Sequence, residues 1–393
     1  MTDLILTVNA GSSSIKFALF RAGSRPEEQL RGQVEGLGAT PRLTADSAGE
    51  TLADRDLAPE EAEDHRAALG TILDLLDDRA DAGQVAAVGH RIVHGGTDYA
   101  APVRIDDAVY DTLEGLCPLA PLHQPHNLAG VAAARDAFPE AVQVACFDTA
   151  FHRAHPWVAD TYALPRRYYD EGIRRYGFHG LSYAYVSGQL RREAPEAAAG
   201  RVVITHLGNG ASMCALRDGS SVASSMGFTA LDGLPMGTRC GQLDPGVVLY
   251  LMGQKGMSAG EIEHLLYRES GLRGLSGLSH DMRQLEESGT EEAEEAIAYF
   301  VHRIRREIGA MTAVLGGLDT LVFCGGIGEN SSRIRAAVCE GFGWLGLSLE
   351  PGGNAAGEGV ISAPGSRVEV RVIPTDEEAM IASDALEVLR GRA

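Results

Sequence analysis

"LILTVNAGSSSIKFALF", residues 4–20, is two apolar runs separated by Asn9-Ala10-Gly11-Ser12-Ser13-Ser14. A phosphate loop of the Walker type needs G-x-x-x-x-G-K-[ST] leading into a helix, and here the second run reads as strand. Leu4–Val8 and Ile15–Phe20 therefore form a hairpin in this reading, with the glycine and serines at its tip. The pattern returns in "RVVITHLGNGASMCALRDG", residues 201–219, which is again strand, Gly/Asn/Ser turn, strand. A repeated strand–turn–strand unit predicts two similarly built domains, each giving one turn to a shared cleft.

Around these two hairpins the chain alternates strands and helices, the signature of an α/β protein. A third strand-like piece (31–37), a polar loop and a helix over 59–80 follow the first hairpin. "VAAVGHRIVHGG" (85–96) reads as a buried strand running into a Gly-ended loop, and 106–116 and 125–138 as helices. "AVQVACFDTAFH" (141–152) is a strand with polar residues at its carboxyl end. After the second hairpin come helices near 258–269 and 290–315. "DTLVFCGGIGENSSRIRAAV" (319–338) reads as strand, glycine loop, helix, and the chain closes with a strand (368–373), "PTDEE" and a helix (378–390).

The bulk numbers narrow the classes. A chain of 393 residues is long for one core, so two domains are expected. Lys+Arg 34 against Asp+Glu 54 gives a net charge of −20, which argues against nucleic acid or an anionic membrane as partner. An anionic ligand must then be held by locally placed positive groups. Asp3 stands where a signal peptide would carry basic residues, and no apolar run approaches the roughly 20 residues of a membrane span. The six cysteines show no metal or C-x-x-C spacing, so reduced core thiols in a cytoplasmic protein are expected.

Each candidate motif has a plain structural reading beside its chemical one. Asn9 to Ser14, with Lys16, could bring backbone N–H groups, hydroxyls and a charge to a phosphate, or be only a hairpin turn. "LGNGAS" (207–212) and "GGIGEN" (325–330) follow strands, and the second opens a helix whose amino end would attract anions. "GHRIVHGG" (89–96) and "MGTRCG" (236–241) each place an arginine in a Gly-bounded loop, suited to a carboxylate or a transferring phosphoryl group, or else to a structural ion pair. Asp148 lies at the carboxyl end of a strand, where α/β proteins put functional groups, or caps a helix there. His179 in "YGFHG" depends on its company, and the acids of "PTDEE" (374–378) read first as a helix cap, alternatively as a Mg²⁺ ligand.

Together these stretches resemble the acetate kinase family, over essentially the whole chain. "VNAGSSSIKF", "GHRIVHGG", "APLH", "FDTAFH", "RYGFHG", "HLGNGAS", "MGTRCG", "FCGGIGENSS" and "PTDEE" stand in the family's order and spacing. The resemblance implies two duplicated α/β domains of the actin, Hsp70 and sugar-kinase (ribonuclease H-like) type with the nucleotide in the cleft. Their expected ranges are 1–149, joined by the helix 378–393, and 150–377. It further implies ATP-dependent phosphorylation of acetate with Mg²⁺ (Mn²⁺ as substitute) in a homodimer; a propionate kinase, or a non-metabolic ATPase of the same fold, is the alternative. By the same resemblance, Asn9 and Glu377 hold the metal, and Ser12, Ser14 and Lys16 lie near the phosphates. Arg91 and Arg239 grip the acyl substrate and the transferring group, His179 stabilises the transition state, and Asp148 is the essential acid. The nucleotide rests on His206, Leu207, Gly208, Asn209 and Gly210, on Asp281, Met282 and Arg283, and on Gly325, Gly326, Ile327, Gly328, Glu329 and Asn330. Val93, Leu122 and Phe178 wall the pocket for the acetate methyl group. The chain departs from the family pattern at Leu181 and Tyr183 (Thr and His in "HGTSH"), Gln242, Asp376 and Ala230, the last commonly Pro.

Overall fold

The computed structural model describes residues 3–11, 13–77 and 84–392. They divide into two compact units, residues 1–153 with 376–393, and residues 154–375. Asp376 and Glu377 thus belong with the first unit, together with the carboxyl-terminal helix.

The first unit holds β1 (Leu4–Ala10), β2 (Ser14–Arg21), β3 (Glu27–Glu35), β4 (Arg42–Ser47), β5 (Glu50–Asp56), β6 (Val85–Ile92), β7 (Val103–Arg104) and β8 (Val142–Phe147), ordered β5-β4-β3-β2-β1-β6-β8-β7. The second holds β9 (Arg201–Leu207), β10 (Ala211–Arg217), β11 (Ser220–Ser224), β12 (Thr320–Cys324), β13 (Gly359–Val360) and β14 (Glu369–Val372), ordered β11-β10-β9-β12-β14-β13. From β3 to β7 in one sheet and from β11 to β13 in the other, the strand scheme is the same. Two antiparallel pairings lead to the central strand, two parallel ones follow, and a short antiparallel strand forms the edge. The repeat read from the two hairpins is therefore a repeat of a whole six-strand sheet.

Burial explains the elements. In the first sheet Leu6, Val8, Phe17 and Val88 pack with Leu69 and Ile72 of the helix His65–Asp77 and with Ala133 and Ala134 of the helix Gln124–Ala137. The helix Glu377–Leu389 buries Ile381, Ala382, Ala385 and Leu386, and comes so close to β6 that a side chain at Gly89 would lie 2.6 Å from Ile381 Cγ2. In the second unit the helix Glu291–Leu315 buries Ile297, Phe300, Ile304, Ile308 and Met311 at helical spacing, is capped by Thr290, and ends at Gly316 with φ +73°. Burying such a side chain contributes about 1.5–3 kcal/mol, far more than helix propensity does.

Three local expectations are corrected. The polar loop after the third strand is a hairpin, β4–β5, because Leu43 and Ala45 alternate inward while Ala48 and Gly49 turn the chain at φ +49° and +85°. The helix expected over 59–80 is a 3₁₀ turn, Pro59–Glu61, then an α-helix, His65–Asp77; residues 78–80 lie outside the described residues. The glycine loop at 325–330 is itself helical (Gly325–Asn330).

Candidate active site

Parallel strands end along one edge of a sheet, and in the first unit three polar groups sit at such ends. Arg91 is the next-to-last residue of β6, Asp148 follows β8, and Asn9 lies near the end of β1. Glu377 joins them as the first residue of its helix, whose cap is Asp376 Oδ1 accepting from the Ala379 N–H at 2.9 Å. Arg91 donates through Nη2 and Nε to Asp148 Oδ2 at 2.5 and 3.1 Å and through Nη1 to Asn9 Oδ1 at 3.3 Å. Its Nε lies 3.7 Å from Glu377 Oε2. Asp148 is only 1 % exposed, and its other oxygen, Oδ1, is buried with no hydrogen-bond partner among the described residues. A buried oxygen left unmet is costly and marks a place where a cation or donor belongs. Burial disfavours the Arg91 charge, but Asp148, Glu377 and Glu378 more than offset this and hold it protonated. Burial, opposed by Arg91 and reinforced by Asp148 and Glu378, pushes the Glu377 carboxyl up to about 7.

Lys16 pairs across the hairpin with Asn9, and Ser14 opens β2; Ser12 lies outside the described residues. Val93, just past β6, is buried, and Leu122 is half-buried ahead of the helix Gln124–Ala137. Two braces escaped the sequence reading. Asn127 accepts from the Val93 N–H at 3.0 Å and donates to the Ala10 carbonyl at 2.7 Å, tying the "VHGG" loop to the first turn. His65 Nε2 meets the Gly11 carbonyl at 2.7 Å.

In the second unit the β9–β10 turn, "LGNGAS", takes the place that "NAGSSS" has in the first. His179 is held at φ +59° immediately before the helix Gly180–Glu193, a left-handed conformation uncommon outside glycine. Its Nδ1 bonds Ser212 Oγ at 2.8 Å, its ring stacks on His206 with centroids 4.3 Å apart, and a side chain on Gly210 would lie 3.1 Å from its Nε2. Phe178 beside it is 2 % exposed. The "MGTRCG" turn is closed by the Met236 N–H on the Arg239 carbonyl and seated on the β9–β10 turn by the Gly237 N–H on the Asn209 carbonyl. Arg239 donates to the Ala230 carbonyl at 3.1 Å.

A cavity of about 820 Å³ opens in this unit, lined by Gly208 and Asn209, by His280 to Arg283 and Glu286, and by Gly326, Ile327, Asn330 and Ser331. Three separate stretches expected at the nucleotide thus meet in one space. His206, Leu207, Gly210, Gly325, Gly328 and Glu329 are not among its lining residues. Leu207 and Gly328 are buried behind it, and Glu329 Oε1 accepts from the N–H groups of Gly325 and Thr375, bracing the turn. His280, Glu286 and Ser331 were not anticipated; only their place beside "DMR" and "GEN" hinted at them.

Among the described residues no group of three or more His, Cys, Asp or Glu side chains is placed to hold a metal ion. The donors that remain in the first unit, Asn9 Oδ1, the unmet Asp148 Oδ1 and Glu377, are hard oxygens. They fit Mg²⁺, which keeps waters and binds through one or two carboxylates plus substrate phosphates.

Two units on one six-strand scheme define the actin, Hsp70 and sugar-kinase fold class. The profile of the acetokinase family matches residues 4–383, and the chain belongs to that family. It is 59 % identical to an acetate kinase of Methylocella silvestris, over 99 % of this chain and 98 % of that one. Among solved structures it is similar to the acetate kinase of Porphyromonas gingivalis (39 % identity, TM-score 0.88, 98 % of this chain and all of that one). It is likewise similar to a propionate kinase of Francisella tularensis (35 % identity, TM-score 0.91, 97 % and 98 % covered).

Proposed function

We propose that this protein is an acetate kinase: a carboxylate oxygen of acetate attacks the γ-phosphorus of ATP in line, the bond to the β,γ-bridging oxygen breaks, and acetyl phosphate and ADP result, reversibly. The observation that carries this is Arg91, a guanidinium fixed by Asp148 beside Asn9 and Glu377 at the strand ends. A carboxylate is already a competent nucleophile at neutral pH. The obstacle is repulsion between two anions, and positive groups that also align them remove it.

In this reading Arg91 and Arg239 hold the acyl substrate and the transferring group, and His179 donates to the phosphoryl oxygens in the transition state. Asp148 orients Arg91; it is not a proton acceptor, because the nucleophile carries no proton. Ser14 and Lys16 lie toward the phosphates, the cavity beside Asn209 and Met282 takes the nucleoside, and Val93, Leu122 and Phe178 face the methyl group. Asn9, Asp148 and Glu377 would hold Mg²⁺, whose contribution is to neutralise phosphate charge. That no disulfide joins any of the six cysteines agrees with a cytoplasmic setting. Exposed Val247, Leu249, Tyr250 and Met252 on the helix Pro245–Gln254 support a homodimer.

The likeness to a propionate kinase, with Ala230 where the family commonly has Pro, favours propionate as the second reading. One methylene is worth only about 1–3 kcal/mol. Trapping the acyl phosphate with hydroxylamine should give kcat/KM highest for acetate, lower for propionate and lowest for butyrate. Equal values for acetate and propionate would contradict the assignment, and ATP hydrolysis without acyl phosphate would point to a non-metabolic ATPase.

A further inference from the structure

The second unit carries two side-chain relays whose hydroxyl members the phosphoryl-transfer reading does not use. His179, Ser182 and Tyr183 stand at i, i+3 and i+4 around the start of the helix Gly180–Glu193, so they share a face. Across from them, Ser212 of β10 and His206 of β9 are paired residues of the hairpin. Tyr183 Oη lies 2.5 Å from Ser212 Oγ, which lies 2.8 Å from His179 Nδ1. In parallel, Thr375 Oγ1 lies 2.8 Å from Ser182 Oγ, which lies 2.8 Å from His206 Nδ1. The two imidazoles at the ends of these chains are stacked, 24° from parallel.

Proton direction follows from the chemistry of the groups. Each hydroxyl has one hydrogen to give. A phenol is a stronger donor than an aliphatic alcohol, so Tyr183 gives its hydrogen to Ser212, and Ser212 has its own left for His179 Nδ1. Burial, the largest influence on Tyr183, raises its pKa well above the ordinary value, so that hydrogen stays in place at neutral pH. The same order of donation, Thr375 to Ser182 to His206, leaves Nδ1 of the second ring an acceptor. Face-to-face imidazoliums would repel, so the stack excludes two charged rings, and an accepting Nδ1 on each ring makes both neutral.

We propose that Tyr183 and Thr375 are positioning residues: through Ser212 and Ser182 they lock His179 and His206 as a stacked pair of neutral imidazoles with the proton on Nε2. His179 then stabilises the transferring phosphoryl group as a neutral N–H donor and not as an imidazolium. That consequence rests on the role given to His179 above. Tyr183 occupies the place of the second histidine in the family's "HGTSH" pattern, and unlike histidine it cannot itself titrate near neutral pH.

Ring-nitrogen NMR on the full-length protein labelled with ¹⁵N-histidine, at pH 7.5, reads the tautomer directly; His179→Gln and His206→Gln spectra assign the two rings. Both are expected to show a protonated Nε2 and a bare Nδ1. Tyr183→Phe should let His179 populate both tautomers and lower kcat about two- to ten-fold, the worth of one hydrogen bond, with KM for acetate and ATP unchanged. Tyr183→His, which restores a donor, should recover part of the loss. An Nδ1–H or imidazolium form of His179 in the wild type, or a tautomer unmoved by Tyr183→Phe, would overturn the proposal. Full turnover in His179→Gln overturns the catalytic role of His179, whereas the wild-type spectrum decides the relay by itself.

Discussion

Asp148 engages Arg91 with one carboxylate oxygen and leaves the other buried and unmet. Asp148→Asn keeps the shape but removes the charge that holds the guanidinium, so kcat is expected to fall about 10²–10³-fold. A pH–rate profile unchanged in form would support an orienting role, while loss of the acidic limb would mark Asp148 as a proton acceptor instead. Glu377 gives a second test. Its folded-state value of about 7 exceeds the ordinary 4.5. The stability it contributes is therefore complete below about 4.5 and is lost as pH rises through about 7. Glu377→Gln should match the wild-type melting temperature at pH 5, exceed it at pH 8, and lose Mg²⁺-dependent turnover at both. A variant that melts lower at pH 8 would contradict the burial assigned to this carboxyl. Arg91 and Asp148 stood out in the sequence because a Gly-bounded loop and a strand end flag such positions, whereas Glu377 came only from the family resemblance, since "PTDEE" by itself reads as a helix cap. Asn127 was not: its partners stand 34 and 117 residues away, and no local pattern records a brace of that span.

Among elements, the turn at Gly325 shows how sequence and packing divide the work. Gly325 has φ +75°, and a side chain there would lie 2.8 Å from the Leu207 carbonyl. Only glycine lets "GGIGEN" close up against β9 as a short helix. Fully buried Arg335 then closes the other end, donating to the Gly328 and Glu329 carbonyls at 2.9 and 2.7 Å. Gly325→Ala combines a left-handed alanine with a backbone clash, so it should cost about 2 kcal/mol or more. Denaturant unfolding and the KM for ATP, expected to rise, check it; unchanged values of both would count against this account of the turn. The run of glycines reads as loop from sequence, since each costs helix about 1 kcal/mol, and the tertiary contacts of Arg335 overrule that preference. The β4–β5 hairpin was missed for the opposite reason. Its polar outward residues hide an inward Leu43 and Ala45, and strand propensity is a matter of packing context.

For the whole molecule, the duplication was readable in two strand–turn–strand segments, but the full six-strand scheme was not. β12 and β14 reach the second sheet only after long helical insertions, so their parallel pairing has no counterpart in local spacing. A net charge of −20 on a protein that must gather anionic reactants makes two arginines and a divalent ion the centre of the account. The direct measurement is acetate-dependent acyl-phosphate formation by the wild type beside Arg91→Ala and Arg239→Ala, each confirmed as folded by its melting temperature. Turnover should fall by at least about 10²-fold in either variant; near-normal turnover in both would contradict the central claim.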